Sequence, residues 1–125
     1  MAVTESPVVI VAGPDEHGVG EELSALGATV SRIEAVVSTT TLEAAGVDET
    51  AYLVLTDVDE ATGIPVAKEL NPAVTVVTYA NASLPSFVAA VADLAVDPAL
   101  VGPSVVAEEI VAGDVGGDRV DADEA

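Results

Sequence analysis

Residues 8–23 read VVIVAGPDEHGVGEEL, and this stretch decides the fold class. Val8 to Ala12 are apolar on both faces of an extended chain, which is typical of a buried parallel strand. A loop with several glycines follows, after which Val19, Leu23 and Leu26 recur at helical spacing. The stretch therefore predicts a buried strand joined to an amphipathic helix by a glycine-containing loop.

The same alternation continues along the rest of the chain. Four more apolar runs predict strands, at roughly Ala28 to Val37, Tyr52 to Thr56, Val74 to Tyr79 and about Leu94 to Val96. Helix signals lie between and after these strands, including a capping box at Thr40 and Glu43, a helix capped by Ser83, and a helix from Ser104 to Val111 that buries Val105. A further helix is predicted from Asp59 and Glu60 to Leu70. Because Pro65 interrupts its hydrogen bonds, a start near Ile64 is the alternative. Repeated strand–helix units predict one α/β domain over residues 1–112, and the Gly- and Asp-rich residues 113–125 predict a disordered acidic tail.

The charge of the chain is strongly one-sided. Among its 125 residues 22 are acidic and three are basic (Arg32, Lys68 and Arg119), giving a net charge of −19, although half of the residues are hydrophobic. Such a chain repels itself in dilute buffer, whereas at about 1 M salt the Debye length falls to roughly 3 Å. Together with apolar residues that are mostly Ala and Val, this composition resembles that of cytosolic proteins of haloarchaea. We therefore expect a halophilic, cytoplasmic protein.

Composition also argues against several classes of function. Nucleic acid is disfavoured as a partner because binding its phosphates requires Lys and Arg. The chain has no cysteine, so disulfide and zinc–thiolate chemistry are absent. We expect neither a signal peptide nor membrane insertion, since no apolar run approaches about 18 residues.

The glycine loop is the first candidate binding site. In open parallel sheets ligands bind beyond the carboxyl ends of the strands, and backbone N–H groups at a helix start can hold a phosphate. The glycines at 13, 18 and 20 do not have the regular dinucleotide-binding spacing, and Asp15 and Glu16 bring negative charge to the loop. Two interpretations stay open, a tight turn with close helix packing and a nucleotide-phosphate site.

Two stretches resemble the TrkA-N domain, also called the RCK N-terminal domain. They are Leu42-Glu-Ala-Ala-Gly-Val, continuing to the strand end Thr56-Asp57, and the later run Ala67-Lys-Glu-Leu-Asn-Pro-Ala-Val-Thr-Val-Val-Thr. The resemblance covers roughly residues 8 to 111. It implies a Rossmann-like domain that binds NAD(H), ATP or ADP, regulates potassium transport and forms homodimers.

The resemblance also implies a set of cofactor-binding residues. Gly13, His17 and Gly20 match the three fingerprint positions, and Glu34 matches the acidic residue that holds the ribose. The segment between Glu34 and Leu42 is too short for the family's additional helix and strand, so two positions in the sheet stay open for Glu34. The full set is Gly13, His17, Gly18, Gly20, Glu34, Thr56 and Asp57.

A second resemblance is to the response-regulator receiver domain. Asp57 ends a strand where the phosphoacceptor stands in that family, Asp15 and Glu16 resemble its magnesium-binding acids, and Thr78 resembles its switch threonine. Asp97-Pro98 stands where the family has Lys-Pro, so the phosphoryl group would lack a counter-charge.

These observations predict an α/β fold, a minimal Rossmann-like, doubly wound parallel sheet of about five strands in three αβα layers. The main functional hypothesis is a non-enzymatic regulatory module that binds NAD(H) or an adenine nucleotide and acts on an ion-transport partner. One alternative is a degenerate domain without ligand that serves as a dimerisation or adaptor unit, and another is a receiver with Asp57 as phosphoacceptor. No catalytic triad is present, and Asp57, Asp59 and Glu60 are interpreted as a solvated helix cap rather than a metal site.

Overall fold

Five strands form a single parallel sheet in the computed structural model, which describes residues 7–34, 36–57, 62–80 and 92–112. The strands are β1 (Val8–Ala12), β2 (Thr29–Ile33), β3 (Tyr52–Leu55), β4 (Thr75–Tyr79) and β5 (Leu94–Val96). Their spatial order is β2-β1-β3-β4-β5, and every neighbouring pair is parallel. This is the flavodoxin-like order of a doubly wound sheet, so the predicted fold class is confirmed.

Alternate residues of each strand point to opposite sides of the sheet, so the apolar strands present an apolar surface on each face. Helices cover both of these surfaces. Those of the described ranges are α1 (Val19–Ala25), α2 (Thr39–Ala44), α3 (Gly63–Leu70) and α4 (Pro103–Ala112), with a short 3-10 turn at Val47–Glu49. Helices α1 and α4 bury one core, with Val9, Val11, Leu23, Val77, Tyr79 and Ile110 among its members. Helices α2 and α3 bury the other, which includes Ile10, Leu42, Leu53, Leu55, Ile64 and Val76.

Several predicted boundaries need correction. The second strand ends at Ile33 instead of near Val37, because the chain turns away there and Val37 packs into the core under α2 and α3. The capping box of α2 is formed two residues earlier than predicted: Ser38 accepts a bond from the Thr41 N–H, and Thr41 Oγ1 accepts one from the Ser38 N–H. Helix α3, in contrast, begins at Gly63, which confirms the predicted alternative of a start near Ile64. Pro65 then lies in the first turn, where a missing N–H costs little.

Some sequence predictions fall on residues that the structure does not describe. These are the helix start at Asp59 and Glu60, the helix capped by Ser83 and the acidic tail over 113–125. Across the four described ranges, none of the helices has the length and apolar content that crossing a bilayer requires.

Candidate functional site

The loops that follow β1 and β3 lie side by side at the carboxyl edge of the sheet. Strands β2 and β3 flank β1 on opposite sides, which makes the gap between β1 and β3 the switch point where ligands of such sheets bind. Gly13 follows β1, Thr56 and Asp57 follow β3, and Glu34 follows β2 at the edge of the sheet. The question of which strand Glu34 ends is thus answered in favour of the second.

The side chain of Asp15 takes up the amide groups at the start of α1. Its Oδ1 accepts a hydrogen bond from the Val19 N–H (2.8 Å) and its Oδ2 accepts one from the Gly20 N–H (2.9 Å). The N-cap position itself is Gly18, which has no side chain to supply this cap. The donors that a bound phosphate would need are therefore already used by a carboxylate of the same chain.

Arg32 completes this arrangement from the neighbouring strand. Its Nη1 donates to Asp15 Oδ2 at 3.0 Å, and the Asp15 side chain is only 10% exposed. The pairing follows from register, because Val11 of β1 lies opposite Arg32 of β2. One of the three basic residues of the chain is thus committed to an internal carboxylate.

The surroundings of Asp15 also set its proton affinity. Burial by itself raises the pKa of this carboxyl, but the bonds from the Gly20 N–H, the Arg32 guanidinium and the Val19 N–H, together with the Arg32 charge, bring the pKa below its ordinary value. Because the folded-state pKa is below the unfolded-state value, ionised Asp15 stabilises the fold above the unfolded-state pKa of about 3.9. That contribution is lost as the pH falls through the lower, folded-state pKa.

We expect Asp15→Ala to lower the free energy of unfolding by about 1–2 kcal/mol at neutral pH, the range for loss of a helix cap. Urea unfolding in molar KCl measures this value. Glu16→Ala is the matched control, since it removes the same charge from an exposed neighbour. The difference between the Asp15→Ala protein and the wild type should shrink below about pH 4, where the carboxyl becomes protonated in the unfolded chain, and it should be lost as the pH falls through the lower, folded-state pKa. Equal stabilities of the two variants at neutral pH would contradict the capping role.

Gly20 allows Arg32 to lie directly against α1. A Cβ at this position would stand 2.5 Å from Arg32 Nη2 and 2.9 Å from Cζ, so the guanidinium would have to shift from its observed place. Of the two interpretations of the glycine loop, the geometry at Gly20 therefore favours close packing. Arg32 was missed as a site residue, and its rarity in a chain with three basic residues was the signal that could have identified it.

Thr56 joins the two switch-point loops. Its Oγ1 hydroxyl lies within bonding distance of the carbonyls of Pro14 and Ala12, and its N–H donates to the Ala12 carbonyl at 2.9 Å. Gly13 lies against it at a φ of +106°, with its own N–H donating to the Ile33 carbonyl at 3.0 Å. The predicted site residues Gly13 and Thr56 thus hold β1, β2 and β3 together at the carboxyl edge.

A small cavity of about 160 Å³ lies over the ends of β1, β3 and β4, with Glu16, His17, Thr56, Tyr79 and Pro98 in its walls. The rings of His17 and Tyr79 meet edge to face with centroids 5.6 Å apart. The Tyr79 hydroxyl donates to the Val101 carbonyl at 2.8 Å, and burial and then the Asp15 charge raise the pKa of Tyr79. His17 therefore packs beside a structural tyrosine.

A second, wider cavity of about 560 Å³ opens beside β2. Its walls contain Gly13, Pro14, Asp15, Glu21, Arg32 and Glu34. Three carboxylates face one guanidinium, and that guanidinium is paired with Asp15. The residues present therefore do not fit the phosphates of a nucleotide, because neither an amide cluster nor an uncommitted cation is offered to them.

Within the described ranges, the remaining charged residues near the strand ends do not replace that cation. Asp97, where a receiver has lysine, uses Oδ1 to accept a bond from the Ala99 N–H (2.9 Å). Lys68 pairs with Asp93 at 2.6 Å, and Asp93 precedes β5 at the amino edge of the sheet. In residues 7–34, 36–57, 62–80 and 92–112, no three His, Asp or Glu side chains are grouped so that they could hold a metal ion.

Solved structures with this architecture come from several kinds of protein. An orphan response regulator of H. pylori matches with a TM-score of 0.68 at 14% identity, over 86% of this chain and 95% of that one. A CheY-like response regulator receiver domain protein from Methanospirillum hungatei matches with a TM-score of 0.61 at 17% identity, over 84% and 91%. The GsuK RCK domain matches with a TM-score of 0.62 at 18% identity, over 90% of this chain and 30% of that one. At these identities the matches establish the flavodoxin-like fold.

A protein-family model also matches residues 9–110, and its description is a family of unknown function, DUF7126. No curated protein matches the chain. The predicted membership of the TrkA-N family is therefore not confirmed. The part of that prediction that is confirmed is the three-layer fold, which this chain shares with the GsuK RCK domain.

Proposed function

We propose that this chain, which belongs to DUF7126, a family of unknown function, is a non-enzymatic adaptor domain that binds another protein. In this proposal the domain has the receiver-like architecture of its structural neighbours but needs neither a nucleotide nor a phosphoryl group at its strand-end site. It is the ligand-free alternative that the sequence left open.

The observation that carries the proposal is the position of the Asp15 carboxylate. It binds the Val19 and Gly20 amides and the Arg32 guanidinium, which are the groups that would otherwise attract an anion to this loop. Displacing it would leave a largely buried carboxylate without partners, at a cost of several hydrogen bonds. The anion site at the glycine loop is therefore satisfied from within the chain.

The hydrogen bonds of Asp15 also disfavour receiver chemistry at Asp57. A receiver needs acidic side chains to hold magnesium, and Asp15 is one of the two candidates for that role. Both of its oxygens accept hydrogen bonds from α1 and Arg32, whereas a ligand of hydrated Mg²⁺ needs an oxygen that is directed at the ion. With an aspartate at position 97, a phosphoryl group on Asp57 would also meet a further negative charge instead of a cation.

The test is a set of thermal unfolding curves of the full chain in about 2 M KCl, where its charges are screened. NAD, NADH, ATP, ADP and AMP are added separately, and beryllofluoride with Mg²⁺ is added as the probe for Asp57. A ligand at about 100 times its Kd would add roughly 2.7 kcal/mol to the free energy of unfolding. We expect no shift of the midpoint with any of them.

A shift with a nucleotide would overturn the proposal and restore the nucleotide-sensing hypothesis, with its link to potassium transport. A shift with beryllofluoride and Mg²⁺ that is abolished in Asp57→Ala would instead identify a working receiver. Beryllofluoride without Mg²⁺ is the control for non-specific effects of the salt.

A further inference from the structure

An apolar groove runs along β5 and the first half of α4, with a set of lining residues that does not include any from the glycine loop. Its volume is about 390 Å³, and Leu94, Val96, Leu100, Val101 and Val105 form most of its surface. Leu100 is 82% exposed and Val105 is 47% exposed, although Val105 was predicted to be buried. The exposure arises because α4 directs Val106 and Ile110 into the core, which leaves the adjacent Val105 at the helix margin.

The position of the groove makes it accessible to another chain. Strand β5 is the outermost strand in the order of the sheet, so its far side has no neighbouring strand within the described part of the chain. The turn that carries Leu100 and Val101 is closed by bonds from both of their N–H groups to the Asp97 carbonyl, at 2.9 and 3.0 Å. The apolar side chains are thus presented by regular structure.

The charged residues at the groove are all acidic. Among the described residues, Asp97 and Glu109 are its only charged lining residues. The two basic residues within the described ranges, Arg32 and Lys68, are in ion pairs elsewhere. A ligand that fills this groove therefore meets an apolar floor with a negative rim.

We propose that this groove binds a segment of a different protein, one that inserts aliphatic side chains and carries Lys or Arg on either side of them. The proposal rests on the adaptor function above and names the class of partner. The apolar insertion supplies the binding free energy, as buried anchors do at protein interfaces, and the basic flanks pair with Asp97 and Glu109.

Charge disfavours the two other occupants. A second copy in a symmetric contact would bring its own Asp97 and Glu109 to the same interface, with no basic residue of the groove to offset them. The carboxyl-terminal segment of the chain carries Arg119 as its sole basic residue, against the five acids Asp114, Asp118, Asp121, Asp123 and Glu124. Both would place like charges together.

The experiment uses the full chain in about 2 M KCl, so that general attraction to its net charge is screened. The probe is a synthetic amphipathic helical peptide of leucine and lysine, and the comparison peptide has glutamate at every lysine position. Fluorescence titration measures the Kd, and backbone amide chemical shifts locate the peptide. We expect the lysine peptide to bind with shifts on β5 and α4, and the glutamate peptide to bind at least about threefold more weakly, a factor limited by the screening of exposed ion pairs.

Four substitutions separate the groove from other apolar surface. Leu100→Asp and Val105→Asp alter the groove, and each should raise the Kd of the lysine peptide by about tenfold or more. Leu26→Asp and Val36→Asp add the same charge at side chains that are 43% and 62% exposed elsewhere, and they should change the Kd less than about twofold. Glu109→Lys leaves Asp97 opposed by one lysine, so it should remove most of the preference for the lysine peptide. All five positions are exposed, and a thermal melt confirms that each variant folds.

Absence of binding, equal losses in the groove and control variants, or equal affinity for both peptides would overturn the proposal. So would sedimentation that reveals a dimer abolished by Leu100→Asp, which would make a second copy the occupant. These outcomes are independent of the thermal shifts with nucleotides and beryllofluoride, and failure here is therefore distinguishable from failure of the proposed function.

Discussion

Lowering the KCl concentration from about 2 M to about 0.1 M should unfold most of the protein. The Debye length rises from about 3 Å or less to about 10 Å over this range, so carboxylates that were screened from one another begin to repel. For a net charge of −19 on 125 residues, this repulsion should lower the free energy of unfolding by on the order of 5 kcal/mol, which is comparable with the whole stability of a domain of this size. Far-ultraviolet circular dichroism against KCl concentration measures the transition.

A charge-reduced variant serves as the control for this prediction. Glu43→Gln, Glu49→Gln and Glu108→Gln together remove three charges from exposed positions on three separate elements. The triple variant should fold at a lower KCl concentration than the wild type if repulsion is the cause. A transition at the same KCl concentration in both proteins, or a wild type that is folded at about 0.1 M, would contradict the screening account.

Gly13→Ala should lower the free energy of unfolding by about 2–5 kcal/mol. Two effects add: the φ of +106° is strained for any residue with a Cβ, and that Cβ would lie 2.5 Å from Thr56 Oγ1 and 3.1 Å from Asp57 Cβ. The clash falls where Thr56 connects the loops after β1 and β3, so the strands themselves would have to separate. Urea unfolding in molar KCl gives the value.

Gly27→Ala is the matched control, because Gly27 has a similar φ of +96° but nothing within 4 Å of its added Cβ. It should show the backbone strain alone, about 1–2 kcal/mol. The double variant Gly13→Ala with Thr56→Ala should be less destabilised than the sum of the two single variants, because the Oγ1 contact is gone. Equal effects of Gly13→Ala and Gly27→Ala would show that the close approach of Thr56 has no energetic consequence.

The strands were the easiest part of the fold to predict. Strands β1 and β5 have the predicted bounds, and β3 and β4 differ by one residue at one end. Continuous apolar runs mark strands that are buried on both faces, whereas the edge strand β2 has a mixed pattern, and its predicted end was wrong. Leu26 has helical spacing from Val19 but is 43% exposed, because α1 ends at Ala25.

The chemistry of the site was harder to predict, because it depends on strand order. From the sequence Asp15 was a charge that repels phosphate or a candidate ligand for magnesium. Its observed role, a cap for α1 that is paired with Arg32, requires β2 to lie against β1 with Arg32 opposite Val11. Local patterns carry no information on that pairing. The close approach of Gly20 to Arg32 could not be predicted from the sequence for the same reason.

The outer strands of the sheet also bear on how the protein stays dispersed. Most acidic proteins avoid aggregation through mutual repulsion, but molar salt screens one molecule from the next. An exposed strand edge then becomes a template on which a second molecule can add a strand. Strand β5 has three residues and is followed by Asp97-Pro98, and Pro98 has no N–H to extend the ladder. We therefore expect the shortness of β5 and the missing N–H of Pro98 to limit strand addition at this edge when charge repulsion is screened.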